Sequence, residues 1–215
     1  MLYYIALMDE KIAEIKDWLG SNSINVFGLP YSGKDTVGIK LAELIGGKFL
    51  SSGLILRAYQ ENDRSLSEDM NRGALVPQDK LKDIVLPYFS REDLAGYPLV
   101  LSSIGRWNGE ETSVMQAASE GGHPIKAVVL LNVSEVEVRT RWEVSQIIED
   151  RGERSDDRSL AILENRIAEF KEKTMPVIEF YRKLNLLVPV EAVGTKDEVF
   201  NAVVDSLLEY LRKSE

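Results

Sequence analysis

Apolar residues in this chain come in two kinds of run. Short, nearly unbroken ones stand at Ile24–Phe27, Lys48–Ser51, Leu99–Ser102, Ala127–Asn132 and Leu186–Val190. Such runs suit parallel strands buried on both faces. Between them, apolar positions recur at helical spacing over Thr36–Ile45, Leu54–Glu61, Gln78–Phe89, Glu110–Glu120, Glu135–Ile148, Leu160–Leu184 and Lys196–Lys213. This alternation predicts an α/β fold, a parallel sheet of about five strands with helices on both faces, and ligands beyond the carboxyl ends of the strands. Ile12, Ile15, Trp18 and Leu19 extend the helical spacing towards the start. Residues 1–20 therefore read as an extra amphipathic helix packed on one domain, 21–215. The stretch from Ser52 to about Tyr88 is long for a single crossover and reads as a small helical insertion.

Composition narrows the function more than the fold. A length of 215 residues can bury a proper core in one domain. The absence of cysteine excludes disulfides and thiol chemistry, and fits a cytoplasmic location. The one histidine, His123, lies between Gly122 and Pro124 and cannot support a zinc site or a histidine-based triad. A net charge of −9 argues against a general nucleic-acid or membrane binder, while leaving room for a local basic cleft. No apolar run approaches the roughly 20 residues of a membrane helix. The apolar start, Met1–Met8, lacks basic residues and a small-residue cleavage site, so it does not read as a signal peptide.

The chemistry concentrates in Gly28-Leu-Pro-Tyr-Ser-Gly-Lys-Asp-Thr36, set between the first apolar run and the first helical one. Glycine, four residues, then Gly-Lys is the phosphate-binding loop of P-loop kinases and NTPases. Gly28 and Gly33 let successive N–H groups turn towards one phosphate chain, and Ser32 lies between them. The following helix presents its positive end to the same anion. Lys34 adds a mobile positive charge for the β- and γ-phosphates. The residue after the lysine is usually Ser or Thr, whose hydroxyl touches Mg²⁺. Here it is Asp35, with Thr36 one later. Among phosphates a carboxylate needs a cation beside it, so Asp35 either faces Mg²⁺ or turns away and caps the helix.

That loop resembles the Gly-x-Pro-x-x-Gly-Lys-Gly-Thr loop of adenylate kinase and related nucleoside monophosphate kinases. Further segments resemble the family in its order: Leu50-Ser-Ser-Gly-Leu-Ile-Leu-Arg57, Gly73-Ala-Leu-Val-Pro77, Arg151-Gly-Glu-Arg-Ser-Asp-Asp157, Arg166-Ile167, Thr174 to Tyr181 and Val193-Gly-Thr-Lys196. The likeness runs from about residue 23 to 213. It implies a monomeric enzyme that transfers the γ-phosphoryl group of ATP to a nucleoside monophosphate with Mg²⁺. It also implies roles. Gly28, Ser32, Gly33, Lys34, Asp35, Thr36, Arg141, Arg151, Gly194 and Lys196 should hold ATP. Ser52, Gly53, Arg57, Leu75, Val76, Gly105, Arg106 and Glu110 should hold the acceptor. Lys34, Arg106, Arg154 and Arg166 should act on the transferred group, under a short lid at about 142–156.

The chain departs from the family where metal and base are read. The usual acceptor loop Asp-Gly-x-Pro-Arg is Ser102-Ser-Ile-Gly-Arg106, and Leu54 replaces the acid of the Ser-Thr-Gly-Asp segment. Two carboxylates are lost and one, Asp35, is gained, which points to a metal held by Asp35 and Ser102. A glutamine that reads adenine becomes Glu110, followed by Glu111. AMP is the expected acceptor. A carboxylate accepts from an amino group, so CMP or a deoxynucleotide is the nearest alternative. A non-catalytic nucleotide-binding protein is the alternative of another class, motivated by the missing acids.

Overall fold

The computed structural model describes residues 2–60, 64–148 and 159–214. Five strands, β1 (Ser23–Gly28), β2 (Lys48–Ser51), β3 (Leu99–Ser102), β4 (Ile125–Asn132) and β5 (Leu187–Glu191), form one sheet in the order β2-β3-β1-β4-β5. All pairs are parallel, and β1 lies between β3 and β4 with Ile24 beside Val100 and Ala127. This is the three-layer α/β arrangement that the apolar alternation predicts, and the P-loop kinase fold that the resemblance implies.

Side chains leave each strand alternately, so each buried strand feeds two cores. Ile24, Val26, Val100, Val129 and Leu131 point to one face. There they meet α1 (Leu2–Leu19) through Ile12, Ile15 and Leu19, α2 (Lys34–Ile45) through Val37 and Leu41, and α10 (Lys196–Ser214) through Val203 and Leu207. Phe27, Leu99, Leu101, Val128 and Leu130 point to the other. They meet α6 (Glu110–Glu120) through Val114 and Ala118, and α9 (Met175–Lys183) through Val177, Ile178 and Tyr181. Complete burial of an aliphatic side chain stabilises by roughly 1.5–3 kcal/mol, which explains why α1 lies tightly on α10. Arg212 makes two 2.9 Å bonds to Glu14 across that seam. Among the described residues no helix is long and apolar enough to cross a membrane.

Between β2 and β3 the chain forms α3 (Ser52–Gln60), α4 (Arg64–Asn71) and α5 (Gln78–Lys80). The single helix expected over Gln78–Phe89 is a composite. After α5 it widens to a π turn at Leu81–Val85 and tightens to a 3₁₀ turn at Leu86–Ser90. The helix expected over Leu160–Leu184 is likewise divided by a π turn, Phe170–Thr174, between α8 (Leu160–Glu169) and α9. Pro87 lies in the first irregular stretch and Pro176 follows the second. Each lacks the N–H of a regular α-helical bond, a local effect that apolar spacing does not register. The helix α7 (Glu135–Ile148) completes the described set of α-helices.

Candidate active site

The carboxyl ends of β1, β2 and β3 open into one cleft. Gly28, Lys34, Asp35, Ser52, Gly53, Arg57, Leu75, Val76, Ser102, Gly105, Arg106, Glu110 and Arg166 all contribute to its wall.

The loop after β1 owes its shape to two glycines. At Gly28 an added Cβ would stand 2.5 Å from Ser32 Oγ and 3.1 Å from the Leu131 carbonyl oxygen, so no larger residue fits. Gly33 has φ +90°, a left-handed conformation that suits glycine. Tyr31 also takes a positive φ of 62°, sustained by its surroundings. The loop thus doubles back and opens α2 with Lys34 and Asp35 in its first turn, facing the cleft. Ser32 is buried beneath the loop, whereas Thr36 is exposed.

Arg141, on α7, braces this loop from behind. Its guanidinium donates to the carbonyl oxygens of Tyr31 (3.3 Å), Ser32 (3.4 Å) and Ala192 (2.7 Å), and it pairs with Glu137 at 2.8 Å. The phosphate loop is thereby tied to the segment after β5 that carries Gly194 and Lys196, both exposed. The in-plane donors of Arg141 are thus spent on three backbone carbonyls and the Glu137 carboxylate. Gly194 has φ +103°, and Thr195 and Glu198 cap the start of α10 beside it.

The loop after β3 is fixed from below. Asn25, buried in the central strand, donates to the Ile104 carbonyl at 2.8 Å, and Ser52 Oγ donates to the Ser103 carbonyl at 2.8 Å. Gly105 has φ +77°, and a Cβ there would meet Val114 at 2.7 Å. Glu110 is buried and one of its oxygens accepts from the backbone N–H groups of Arg106 (2.7 Å) and Trp107 (2.9 Å). Burial pushes the Glu110 carboxyl above the ordinary range, and those two amides pull it back. Glu111 is also buried and accepts from the Gly109 N–H at 2.8 Å. Both carboxylates that could have read a base therefore give an oxygen to the loop backbone.

Cations converge here from four segments: Lys34 after β1, Arg57 on α3, Arg106 after β3 and Arg166 on α8. Arg57 lies over Gly53, where a Cβ would be 3.2 Å from its guanidinium. Burial, then the nearby Arg166, push Arg106 down to about 10. Glu169, Glu110 and Asp35 offset part of that push, and a phosphate is an anion that guanidinium groups meet bidentately. Opposite them, Ser102 Oγ donates to Asp35 Oδ1 at 2.5 Å. A carboxylate and a hydroxyl from separate elements thus meet beside the phosphate loop. They are hard oxygen ligands of the type Mg²⁺ takes while keeping several of its waters, so these residues fit that ion.

Arg151 and Arg154, and the part of the expected lid beyond residue 148, lie outside the described residues. Sequence reasoning missed Trp107, which lines the cleft, and the Glu169–Lys173 pair, whose Lys173 ammonium lies over the Trp107 ring. Trp107 stood next to Arg106, but no spacing or motif marked it.

Comparison with known proteins decides the family. The sequence profile of the AAA domain matches residues 27–173. The adenylate kinase of Thermus thermophilus is 33% identical over 177 residues, covering 80% of this chain and 90% of that protein. The chain belongs to the adenylate kinase family. The adenylate kinase of Mycobacterium tuberculosis is 32% identical over 186 residues, covering 85% of this chain and 97% of its own. That of Parasynechococcus marenigrum is 31% identical over 184 residues, covering 84% and 95%. As an adenylate kinase family member the chain is a phosphotransferase, and the non-catalytic reading of its missing acids is set aside. The family's P-loop kinase domain accounts for the cleft lying at the carboxyl ends of the strands.

Proposed function

We propose that this chain is an ATP:nucleoside monophosphate kinase whose preferred acceptor is AMP. The observation that carries the reading is the convergence of Lys34, Arg57, Arg106 and Arg166 on one cleft, with the Asp35–Ser102 pair beside the phosphate loop. Joining two polyanions in line demands separate cations for each and a shared set for the moving group.

In this reading the backbone of Gly28–Thr36 cradles the phosphates of ATP, and Lys34 follows the γ-phosphoryl as its charge grows. Arg141 offers its flat face to the donor adenine, with Gly194 and Lys196 on the far side. Arg57 and Arg106 hold the acceptor's monophosphate above Ser52 and Gly53. Leu75, Val76 and Gly105 form the wall of the base pocket, and Glu110 faces the base through its second oxygen. Arg166, joined by Arg151 and Arg154 from the lid, stabilises the equatorial oxygens of the transferred group. Asp35 and Ser102 would hold Mg²⁺, which supplies charge neutralisation between the two phosphate chains. Exclusion of water by the lid at about 142–156 would favour transfer over hydrolysis.

A coupled ADP-release assay across AMP, CMP, GMP, UMP and their deoxy forms tests this. The highest kcat/KM is expected for AMP. The second oxygen of Glu110 favours a second reading, with CMP or a deoxynucleotide as acceptor, and a higher value for one of those would establish it. Absence of turnover with every acceptor would overturn the kinase reading.

The metal role has its own test. Asp35→Asn keeps the shape of the side chain and removes its charge. It is expected to lower kcat about tenfold or more and to shift the Mg²⁺ optimum upward, as loss of a metal-side carboxylate should. The N-cap of α2 is Gly33, with no side chain capping it, so Asp35 is not a cap. A magnesium titration that overlays the wild type would overturn the metal role of Asp35.

A further inference from the structure

Trp107 takes part in a closed circuit of contacts around residues 75–76 of the cleft wall. Its indole Nε1–H donates to the Val76 carbonyl at 2.8 Å. Lys173 stands 4.1 Å from the centre of its ring. The ammonium of Lys173 is held by both oxygens of Glu169, each at 2.6 Å. Glu169 Oε2 in turn accepts from the Leu75 N–H at 2.9 Å. Two consecutive residues of the acceptor segment, Leu75 and Val76, are therefore gripped by two arms that meet where the cation covers the indole.

The arms come from rigid parts. Trp107 follows Arg106, whose carbonyl accepts from Thr174 Oγ1 at 3.1 Å and whose N–H donates to Glu110. Glu169 closes α8, and Lys173 and Thr174 lie on the π turn after it. One extra residue in such a turn re-aims side chains, and π turns recur at functional sites. Arg166 stands one turn before Glu169 on the same helix. Behind the segment, a Cβ at Gly73 would lie 2.9 Å from both Arg166 Cγ and Ile162 Cγ2. The helix that presents Arg166 to the cleft is thus also the one against which residues 73–76 are seated. Trp107 contributes to the wall of the cleft and Lys173 does not, so the cation covers the ring from outside while the rest of the indole borders the acceptor.

We propose that Trp107 is a positioning residue: its indole clips residues 75–76 to the Glu169–Lys173 pair and holds the acceptor pocket closed in register with Arg166. The proposal rests on the acceptor site being the one assigned above. It does not require chemistry by Trp107, because the indole touches the segment that holds the nucleotide and gives up no proton. Removing the N–H leaves the Val76 carbonyl without its donor and frees the segment to drift. Loss of such a half-buried bond costs about 0.5–1.5 kcal/mol, or roughly two- to twelvefold in an equilibrium.

Trp107→Phe keeps an aromatic face for Lys173 and removes the N–H donor together with one ring of the indole. It should raise both the acceptor's KM and its dissociation constant by roughly two- to twelvefold. KM for ATP should stay within about twofold, since the donor side is untouched. Lys173→Met keeps length and removes charge. It should raise the acceptor's KM in the same direction, and the double variant should fall short of the product of the two effects, because both changes cut one circuit. A Trp18→Phe/Trp142→Phe protein leaves Trp107 as the one indole, and its emission should change on adding AMP and not on adding ATP. Should Trp107→Phe bind AMP with wild-type affinity, or weaken ATP equally, the clip is refuted. Binding by calorimetry does not depend on turnover. A wild type that binds AMP tightly but transfers nothing would therefore count against the kinase reading, while the clip is still judged by the variants.

Discussion

Lys34→Ala is expected to lower kcat by at least about a hundredfold while the protein stays folded. Lys34 opens α2 at the mouth of the cleft and is only half-buried. Its removal therefore leaves the apolar seat of the helix, Val37, Leu41 and Ile45, intact. Alanine is also the best helix former, so the first turn gains in propensity. What is lost is a positive charge that can follow the γ-phosphoryl as negative charge shifts towards the leaving oxygen. An interaction stronger in the transition state than in the ground state appears in kcat, not only in KM. Thermal melting of the variant should match the wild type within a few degrees, and ATP should still bind weakly through the loop's N–H groups. Unchanged turnover in the purified variant would remove the loop from the mechanism.

Arg106→Ala carries the second large effect, and it should act in opposite directions on activity and stability. The guanidinium sits in the cleft wall beside Arg166, and its ordinary value is pushed down to about 10 by burial and by that neighbour. A base whose folded value lies below its unfolded one destabilises the fold while it is charged, which is to say at every pH below about 10. Above that value the cost fades as the folded protein gives up the proton. Replacing Arg106 by Ala removes this cost, so the ligand-free variant should melt at or above the wild-type temperature at pH 7. Its kcat/KM for the acceptor should fall by about a hundred- to a thousandfold, because a bidentate phosphate contact and a charge at the reacting group go together. In the wild type an acceptor phosphate should restore the guanidinium's hold on its proton. The acceptor's KM should accordingly rise as pH climbs through about 10. A KM that is flat from pH 8 to 10.5, or a variant that loses ATP affinity as much as acceptor affinity, would place Arg106 elsewhere. Arg57→Ala should show the same preference for the acceptor with a smaller fall, since Arg57 lies over Gly53 at the entrance side.

The sequence by itself determined the sheet and the chemistry of its phosphate end. Short, mostly apolar runs alternating with helical spacing read as parallel strands buried on both faces, so Ile24–Phe27 and Ala127–Asn132 were readable as strands of one sheet, while their adjacency came from the structure. Gly28 and Gly33 were readable because backbone geometry admits little else there. The local rule for Gly-Lys before a helix then put Lys34 and Asp35 in the first turn of α2, where both line the cleft. Apolar spacing also marked the first helix, whose Ile12, Ile15 and Leu19 are buried.

Only the tertiary structure decided what depends on residues far apart in the chain. Ser102 and Asp35, 67 residues apart, were expected beside one metal from the resemblance, but their direct 2.5 Å bond was not. The commitment of Glu110 to the amides of Arg106 and Trp107 was hidden as well, since a motif position carries no record of where a carboxylate turns. The π turn at Phe170–Thr174 left the apolar period of Leu160–Leu184 almost unchanged, yet it aims Lys173 at Trp107. Local rules act over three or four residues and so reach caps, turns and faces. The far wall of the cleft is assembled by contacts between loops that are distant in the chain, and those became visible only once the chain had folded.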